Sequence, residues 1–65
     1  NKTENNAAQW GCIRSRTQRG DKCTIPLLRD DMKKLGYEMK HFSRWLRKLE
    51  SDDVIAIDGD DVHPM

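Results

Sequence analysis

A cluster of basic side chains between positions 40 and 48 is the part of this chain whose residue types and spacing could do chemistry. On a helical wheel, at about 100° per residue, these side chains share one face, and no acidic residue falls among them. Lysine and arginine on one face neutralise phosphates, and arginine also makes paired hydrogen bonds to guanine edges. We therefore predict a surface that binds nucleic acid, with duplex DNA favoured and RNA as an alternative. With two polar neighbours, it consists of Lys40, His41, Ser43, Arg44, Arg47 and Lys48.

The opposite face of the same stretch is apolar. Its residues share a stripe about 120° wide on the wheel, which is the width that a helix needs to pack against a small core. They are Met39, Phe42, Trp45, Leu46 and Leu49. This pattern predicts a helix over residues 38–50, whose basic face is held towards solvent because its apolar face is buried.

A first helix is predicted to begin at Ala7, after a flexible polar segment of residues 1–6, and to end at Gly20, which suits a left-handed C-cap. Its apolar stripe consists of Ala7, Trp10 and Ile13, with Thr17. The basic residues off that stripe are expected to face solvent, where they would add contacts to a nucleic-acid backbone. They are Arg14, Arg16, Arg19 and Lys22.

A second helix is predicted from Pro26 to Leu35, because proline in a first turn loses no helical hydrogen bond. Its core face consists of Leu28, Met32 and Leu35. Gly36 ends this helix, and only Tyr37 and Glu38 lie before the third helix resumes. The two helices are therefore predicted to be joined by a tight turn of three or four residues. Two helices joined by such a short turn that contains glycine are typical of a helix-turn-helix.

The last part of the chain predicts a β-hairpin. Residues 54–57, VIAI, are short and mostly β-branched, and Asp58-Gly59 is a strong hairpin signal. Residues 62–63 return as the second strand, and residues 23–25 are a candidate third strand of the same sheet.

The order of these elements resembles the winged helix-turn-helix superfamily over residues 7–63. The resemblance is carried by IPLLRDDMKKLG and then by HFSRWLRKLESDDVIAIDGDD. It implies an α+β fold, three helices with a small antiparallel β-hairpin or wing, in which residues 7–65 form one winged helix domain. It also implies that the third helix is the recognition element, whose exposed face enters the major groove or lies along phosphates.

A narrower comparison concerns the end of the hairpin. Val62-His63-Pro64 is loosely similar to the proline-bearing wing of the Z-form-nucleic-acid-binding winged helices. Those domains rely on an Asn and a Tyr of the recognition helix, where this chain has Ser43 and Arg47. Recognition of left-handed duplexes is therefore a minor alternative.

The net charge of +1 hides a division of charge along the chain. Residues 1–48 contain all 12 lysines and arginines with five acids, whereas residues 49–65 contain six acids and no lysine or arginine. The positive part suits a polyanion, and the negative part suits a basic partner. The alternative function is therefore a protein-docking winged helix that uses its acidic wing, residues 58–61, and makes no contact with nucleic acid.

Length and composition argue against several other functions. A chain of 65 residues that is 35% apolar forms one thin core, so we expect neither an enzyme nor a cofactor. Cys12 and Cys23 match no common metal pattern, and reduced thiols fit a cytoplasmic or nuclear location. The sequence shows no run of about 18 apolar residues and no leader, which predicts no membrane contact. A first residue other than Met favours a domain of a larger protein.

Overall fold

The computed structural model of this chain describes the backbone of residues 2–65 and the side chains of residues 6–65. Its helices are α1 (Lys2–Arg19), α2 (Ile25–Lys34) and α3 (Phe42–Ser51). They are followed by the strands β1 (Ile55–Asp58) and β2 (Asp61–Pro64), which pair as one antiparallel hairpin. The predicted α+β class, three helices with a small antiparallel hairpin, is confirmed, and the layout is compatible with a winged helix.

Helix α1 begins five residues before the predicted start at Ala7. Asn1, the first residue of the predicted flexible segment 1–6, lies outside the described residues. The helix ends as predicted, because Gly20 adopts a φ of 77°, a left-handed conformation that glycine enters without steric cost. Its backbone N–H donates to the carbonyl of Thr17 over 3.1 Å.

Helix α1 buries only part of the face that the sequence predicted, and the predicted Trp10 is half-buried against the core. Ile13 is fully buried as expected, but Ala7 and Thr17 are exposed. Among residues 6–19, the other fully buried side chain is Gln9, whose amide donates a hydrogen bond to the backbone carbonyl of Phe42 over 3.3 Å. This hydrogen bond offsets part of the desolvation of the amide, so a polar residue occupies a position that its polarity alone would place outside.

Helix α2 is capped by Thr24, whose hydroxyl oxygen accepts a hydrogen bond from the backbone N–H of Leu27 over 3.4 Å. Leu28 and Met32 are fully buried, as predicted, but Leu35 is 63% exposed. The helix ends one residue before Leu35, and the chain then turns, so the apolar stripe does not continue to this side chain.

The connection between α2 and α3 spans residues 35–41, so the predicted turn of three or four residues is too short. Gly36 reverses the chain with a φ of 89°, and the backbone N–H of Tyr37 donates to the carbonyl of Met32 over 3.1 Å. Met39 packs against the core from this connection rather than from a helix. Helix α3 therefore begins four residues later than predicted.

The hairpin pairs Asp58 with Asp61 across a two-residue loop, in which Gly59 has a φ of 62°. Positive φ at the first loop position is what a type II′ turn requires. The predicted third strand is a single antiparallel bridge between Thr24 and Asp61. Its neighbouring hydrogen bond, from the N–H of Ile25 to the carbonyl of residue 60, is 2.9 Å long. This bridge attaches the start of α2 to the hairpin.

One core joins all five elements. Its buried apolar side chains are Ile13, Cys23, Leu28, Met32, Phe42, Trp45, Leu46, Leu49, Ile55 and Val62. Four of them come from α3, more than from any other element. Within the described part of the chain, none of the helices combines the length and the apolar character that a membrane crossing requires.

Candidate nucleic-acid interface

Helix α3 separates an apolar face from a basic one, as the wheel predicted. The buried residues of this helix are Phe42, Trp45, Leu46 and Leu49. On its other side, the exposed residues include Ser43, Arg44, Arg47 and Lys48. Because four large side chains hold one face in the core, the rotation of α3 about its axis is set, and the basic side chains extend into solvent.

Lys40 and His41 lie in the turn before α3, so their predicted helical positions are wrong. Lys40 is exposed, and His41 is half-buried at the N-cap position. The helix starts later than its apolar spacing suggested because Met39 reaches the core from an irregular segment. The candidate basic surface thus consists of a helical face and the turn that precedes it.

Among residues 6–65, no side chain caps or neutralises the N-terminal end of α3. The side chain of His41 makes no capping hydrogen bond, and the first turn contains no acidic residue. In the described structure, the backbone N–H groups of Ser43 and Arg44 have no protein acceptor. The positive end of the helix dipole and free N–H groups both favour a negative charge at this position.

The cations of residues 6–65 divide into those with a carboxylate partner and those without. The cations in ion pairs are Arg16, Arg19, Lys22, Lys34 and Lys48. Within the same residues, those without an ion pair are Arg14, Arg29, Lys33, Lys40, Arg44 and Arg47. Three of these six belong to the predicted surface, and a cation without a neighbouring carboxylate keeps its full attraction for phosphate.

Lys48 differs from the two arginines of α3. Its ammonium nitrogen lies 3.4 Å from a carboxylate oxygen of Asp52, one helical turn further along. Both side chains are largely exposed, so the pair is weak and a phosphate can compete for the lysine. Lys48 is therefore a secondary member of the surface.

Arg16 was predicted to face solvent, and this is wrong. Its guanidinium donates two hydrogen bonds to the carboxylate of Asp31, over 2.6 and 2.9 Å, and its side chain is only 15% exposed. A third hydrogen bond reaches the backbone carbonyl of Lys22 over 3.2 Å. The hydrogen bond from Arg16 holds the pKa of Asp31 below its ordinary value, and the same bond raises the pKa of Arg16. This arginine joins α1 to α2 and is not available to phosphate.

The acidic wing has the opposite charge from α3. Asp58 and Asp60 are exposed at the tip of the hairpin, and the ammonium nitrogen of Lys22 lies 3.9 Å from a carboxylate oxygen of Asp61. The hairpin itself contains no lysine or arginine. A duplex bound to α3 would therefore gain no attraction from the wing.

Sequence reasoning missed Arg29, which lies on α2. The carbon atom of its guanidinium is 5.1 Å from the centroid of the Phe42 ring, within the range of a cation–π contact. Phe42 is the first residue of α3, so an unpaired arginine from another helix lies at the start of the basic surface. Helical periodicity within α2 contains no signal for this contact, because it joins residues that are far apart in the chain.

The described residues give little support to a metal site or to a reactive thiol. Among the described residues, no three His, Cys, Asp or Glu side chains lie close enough to hold a metal ion. Burial raises the pKa of the Cys12 and Cys23 thiols, so both remain protonated at neutral pH. Neither is activated as a nucleophile.

The chain matches no known protein family, and no characterised protein or solved structure is significantly similar to it. Its fold is compatible with a winged helix in the number and order of its elements.

Proposed function

We propose that this domain is a winged helix that binds nucleic acid, with duplex DNA favoured, through the exposed face of α3. One observation carries the proposal. Arg44 and Arg47 have no carboxylate partner among residues 6–65, although the same chain pairs five of its other cations with acids. Both arginines are exposed on a helix whose opposite face is buried, so they are free to contact a ligand.

The chemistry of this surface suits phosphate first and base edges second. Arg44 and Arg47 are three residues apart and therefore neighbours on one face of the helix. A guanidinium donates paired hydrogen bonds either to a phosphate or to the O6 and N7 atoms of guanine. Lys40, in the preceding turn, and Lys48, in the last turn, would contact phosphates on either side.

The acidic wing limits how this domain can bind. Asp58 and Asp60 at its tip would be repelled by a phosphate backbone. The contact is therefore centred on α3 and its N-terminal turn, and it involves about four phosphates, one for each lysine or arginine of the surface. Such a small contact predicts weak binding at physiological salt, which a second domain or a second copy would strengthen.

The proposal is tested by titrating the domain into a fluorescently labelled duplex of random sequence at several salt concentrations. With about four neutralised phosphates, the logarithm of the association constant should fall by about 3.6 for each tenfold rise in salt. The same titration with single-stranded RNA of equal length shows whether RNA is preferred. Absence of binding to either at low salt would contradict the proposal and favour docking through the acidic wing.

Two double variants separate the local surface from the net charge of the domain. Arg44→Gln with Arg47→Gln removes two unpaired cations, whereas Arg19→Gln with Lys34→Gln removes two cations that are paired with acids. Both variants lose the same charge. The first should reduce the salt slope by about 1.8, and the second should leave it unchanged. Equal weakening in both would contradict a site on α3.

A further inference from the structure

The start of α3 is covered from outside by a side chain of α2. Arg29 places its guanidinium carbon 5.1 Å from the centroid of the Phe42 ring. Phe42 as a residue is 1% exposed, whereas Arg29 is exposed. The arginine therefore lies between the core and solvent, next to the N-terminal end of α3.

The ring that supports Arg29 is fixed in place. Phe42 is buried in the core, and its backbone carbonyl accepts the hydrogen bond from the amide of Gln9 over 3.3 Å. A guanidinium that stacks on an aromatic face keeps the N–H groups of its edge free to donate. Within residues 6–65, Arg29 makes neither an ion pair nor a side-chain hydrogen bond that would occupy those donors.

We propose that Arg29 is a phosphate-binding residue, held in position by the ring of Phe42, and that it extends the nucleic-acid surface from α3 onto α2. This inference rests on the proposed function. The ligand is a phosphodiester of the nucleic-acid backbone, which the planar fork of the guanidinium contacts with two hydrogen bonds. The backbone would then pass across the N-terminal end of α3, where the N–H groups of Ser43 and Arg44 have no acceptor within the described structure.

The chemistry favours arginine over lysine at this position. A lysine would supply the charge, but its ammonium is a point charge on a flexible stem and cannot donate a planar pair of hydrogen bonds. Arg29 loses little conformational freedom on binding, because the ring already orders its guanidinium. The identity of the side chain should therefore matter as well as its charge.

The test uses two variants of Arg29 and one matched control on the same helix. Arg29→Met keeps an apolar chain over the ring and removes the charge, which protects the fold, and Arg29→Lys keeps the charge alone. Lys34→Ala is the control, because Lys34 also lies on α2 but is paired with Asp30 over 3.1 Å. Thermal unfolding of each variant confirms that it is folded before its affinity for the labelled duplex is measured across the salt series.

We expect Arg29→Met to weaken binding and to reduce the salt slope by about 0.9, the contribution of one phosphate. Arg29→Lys should keep the slope of the unaltered domain and bind more weakly than it, and Lys34→Ala should change neither. If Arg29→Met keeps both affinity and slope while Arg44→Gln with Arg47→Gln lowers them, Arg29 merely covers Phe42 and only this inference fails. Absence of binding by the unaltered domain would overturn the proposed function and this inference together.

Discussion

The side-chain amide of Gln9 donates a hydrogen bond to the backbone carbonyl of Phe42, and this bond joins the long first helix to the first residue of α3. Gln9 is fully buried, and its Oε1 atom has no hydrogen-bond partner among the described residues. The amide is thus half satisfied. It helps to position the helix that carries the basic surface, at the cost of one unpaired buried acceptor.

This arrangement predicts different results for two substitutions at Gln9. Gln9→Met keeps most of the volume and removes the unpaired oxygen together with the hydrogen bond, so it should change the free energy of unfolding by less than about 1 kcal/mol. Gln9→Ala leaves a cavity beneath α3 and should cost about 2–4 kcal/mol. Urea denaturation measures both. Equal losses in the two variants would show that the hydrogen bond, and not the volume, positions α3.

The Arg16–Asp31 pair predicts a loss of stability in acid. Arg16 lowers the pKa of Asp31 in the folded chain, whereas the unfolded chain has the ordinary value of about 3.9. The stability from this pair is therefore fully present above about pH 5, and it is lost as the pH falls through the folded pKa. Asp31→Asn should reduce the free energy of unfolding at neutral pH by about 1.5–3 kcal/mol. It should also make this free energy depend less on pH in the acid range.

The control for that measurement is Asp30→Asn. Asp30 pairs with Lys34 over 3.1 Å, but the two side chains are 56% and 75% exposed. An exposed pair one turn apart contributes only about 0.3–0.5 kcal/mol. If Asp30→Asn destabilised the domain as much as Asp31→Asn, the partly buried geometry of the Arg16 pair would not be the cause.

The two faces of α3 predict opposite consequences for folding and binding. Phe42→Ala or Trp45→Ala should cost about 3–5 kcal/mol and unfold much of the domain, because both side chains are buried. Arg44→Glu with Arg47→Glu should abolish binding to duplex DNA and leave the thermal midpoint nearly unchanged, because both residues are exposed. Circular dichroism and the binding titration distinguish the two outcomes. If the double variant is folded and still binds, the basic face of α3 is not the surface that contacts DNA.

Replacing Gly11 or Gly59 by alanine should change the stability of the domain in opposite directions. At neither Gly11 nor Gly59 would an added Cβ meet another atom within 4 Å, so contacts do not decide the result. Gly11→Ala should stabilise α1 by about 0.5–1 kcal/mol, because alanine favours the helix interior. Gly59→Ala should destabilise the hairpin by about 1–2 kcal/mol, because its φ of 62° is strained for a residue with a side chain. Denaturant midpoints measure both changes.

Local patterns in the sequence were sufficient for the fold class and for the orientation of α3. The apolar spacing between Phe42 and Leu49 predicts which face is buried, since neighbours three and four residues apart must share a side of a helix. The Asp58-Gly59 turn between β-branched segments predicts the hairpin for a similarly local reason. Both signals depend only on neighbours in the chain.

The boundaries of the helices and the burial of individual side chains were less predictable from the sequence. The start of α3 was wrong by four residues because Met39 packs against the core without being helical, and periodicity does not distinguish these two cases. The buried face of α1 was only partly right, because Gln9 occupies a core position while Ala7 and Thr17 are exposed. In each case a contact with a distant element outweighed the local preference.

The sequence by itself determined that a basic face opposes an apolar one near residues 42–49, since that follows from helical geometry. Only the tertiary structure decided which cations have a carboxylate partner and which do not. Arg16 is bound to Asp31, fifteen residues away, whereas the guanidinium of Arg29 lies over the ring of Phe42, thirteen residues away, and has no ion pair within residues 6–65. Both arginines lie on helices and carry the same charge. They differ because long-range packing, which no local pattern encodes, places a carboxylate beside one and an aromatic ring beside the other.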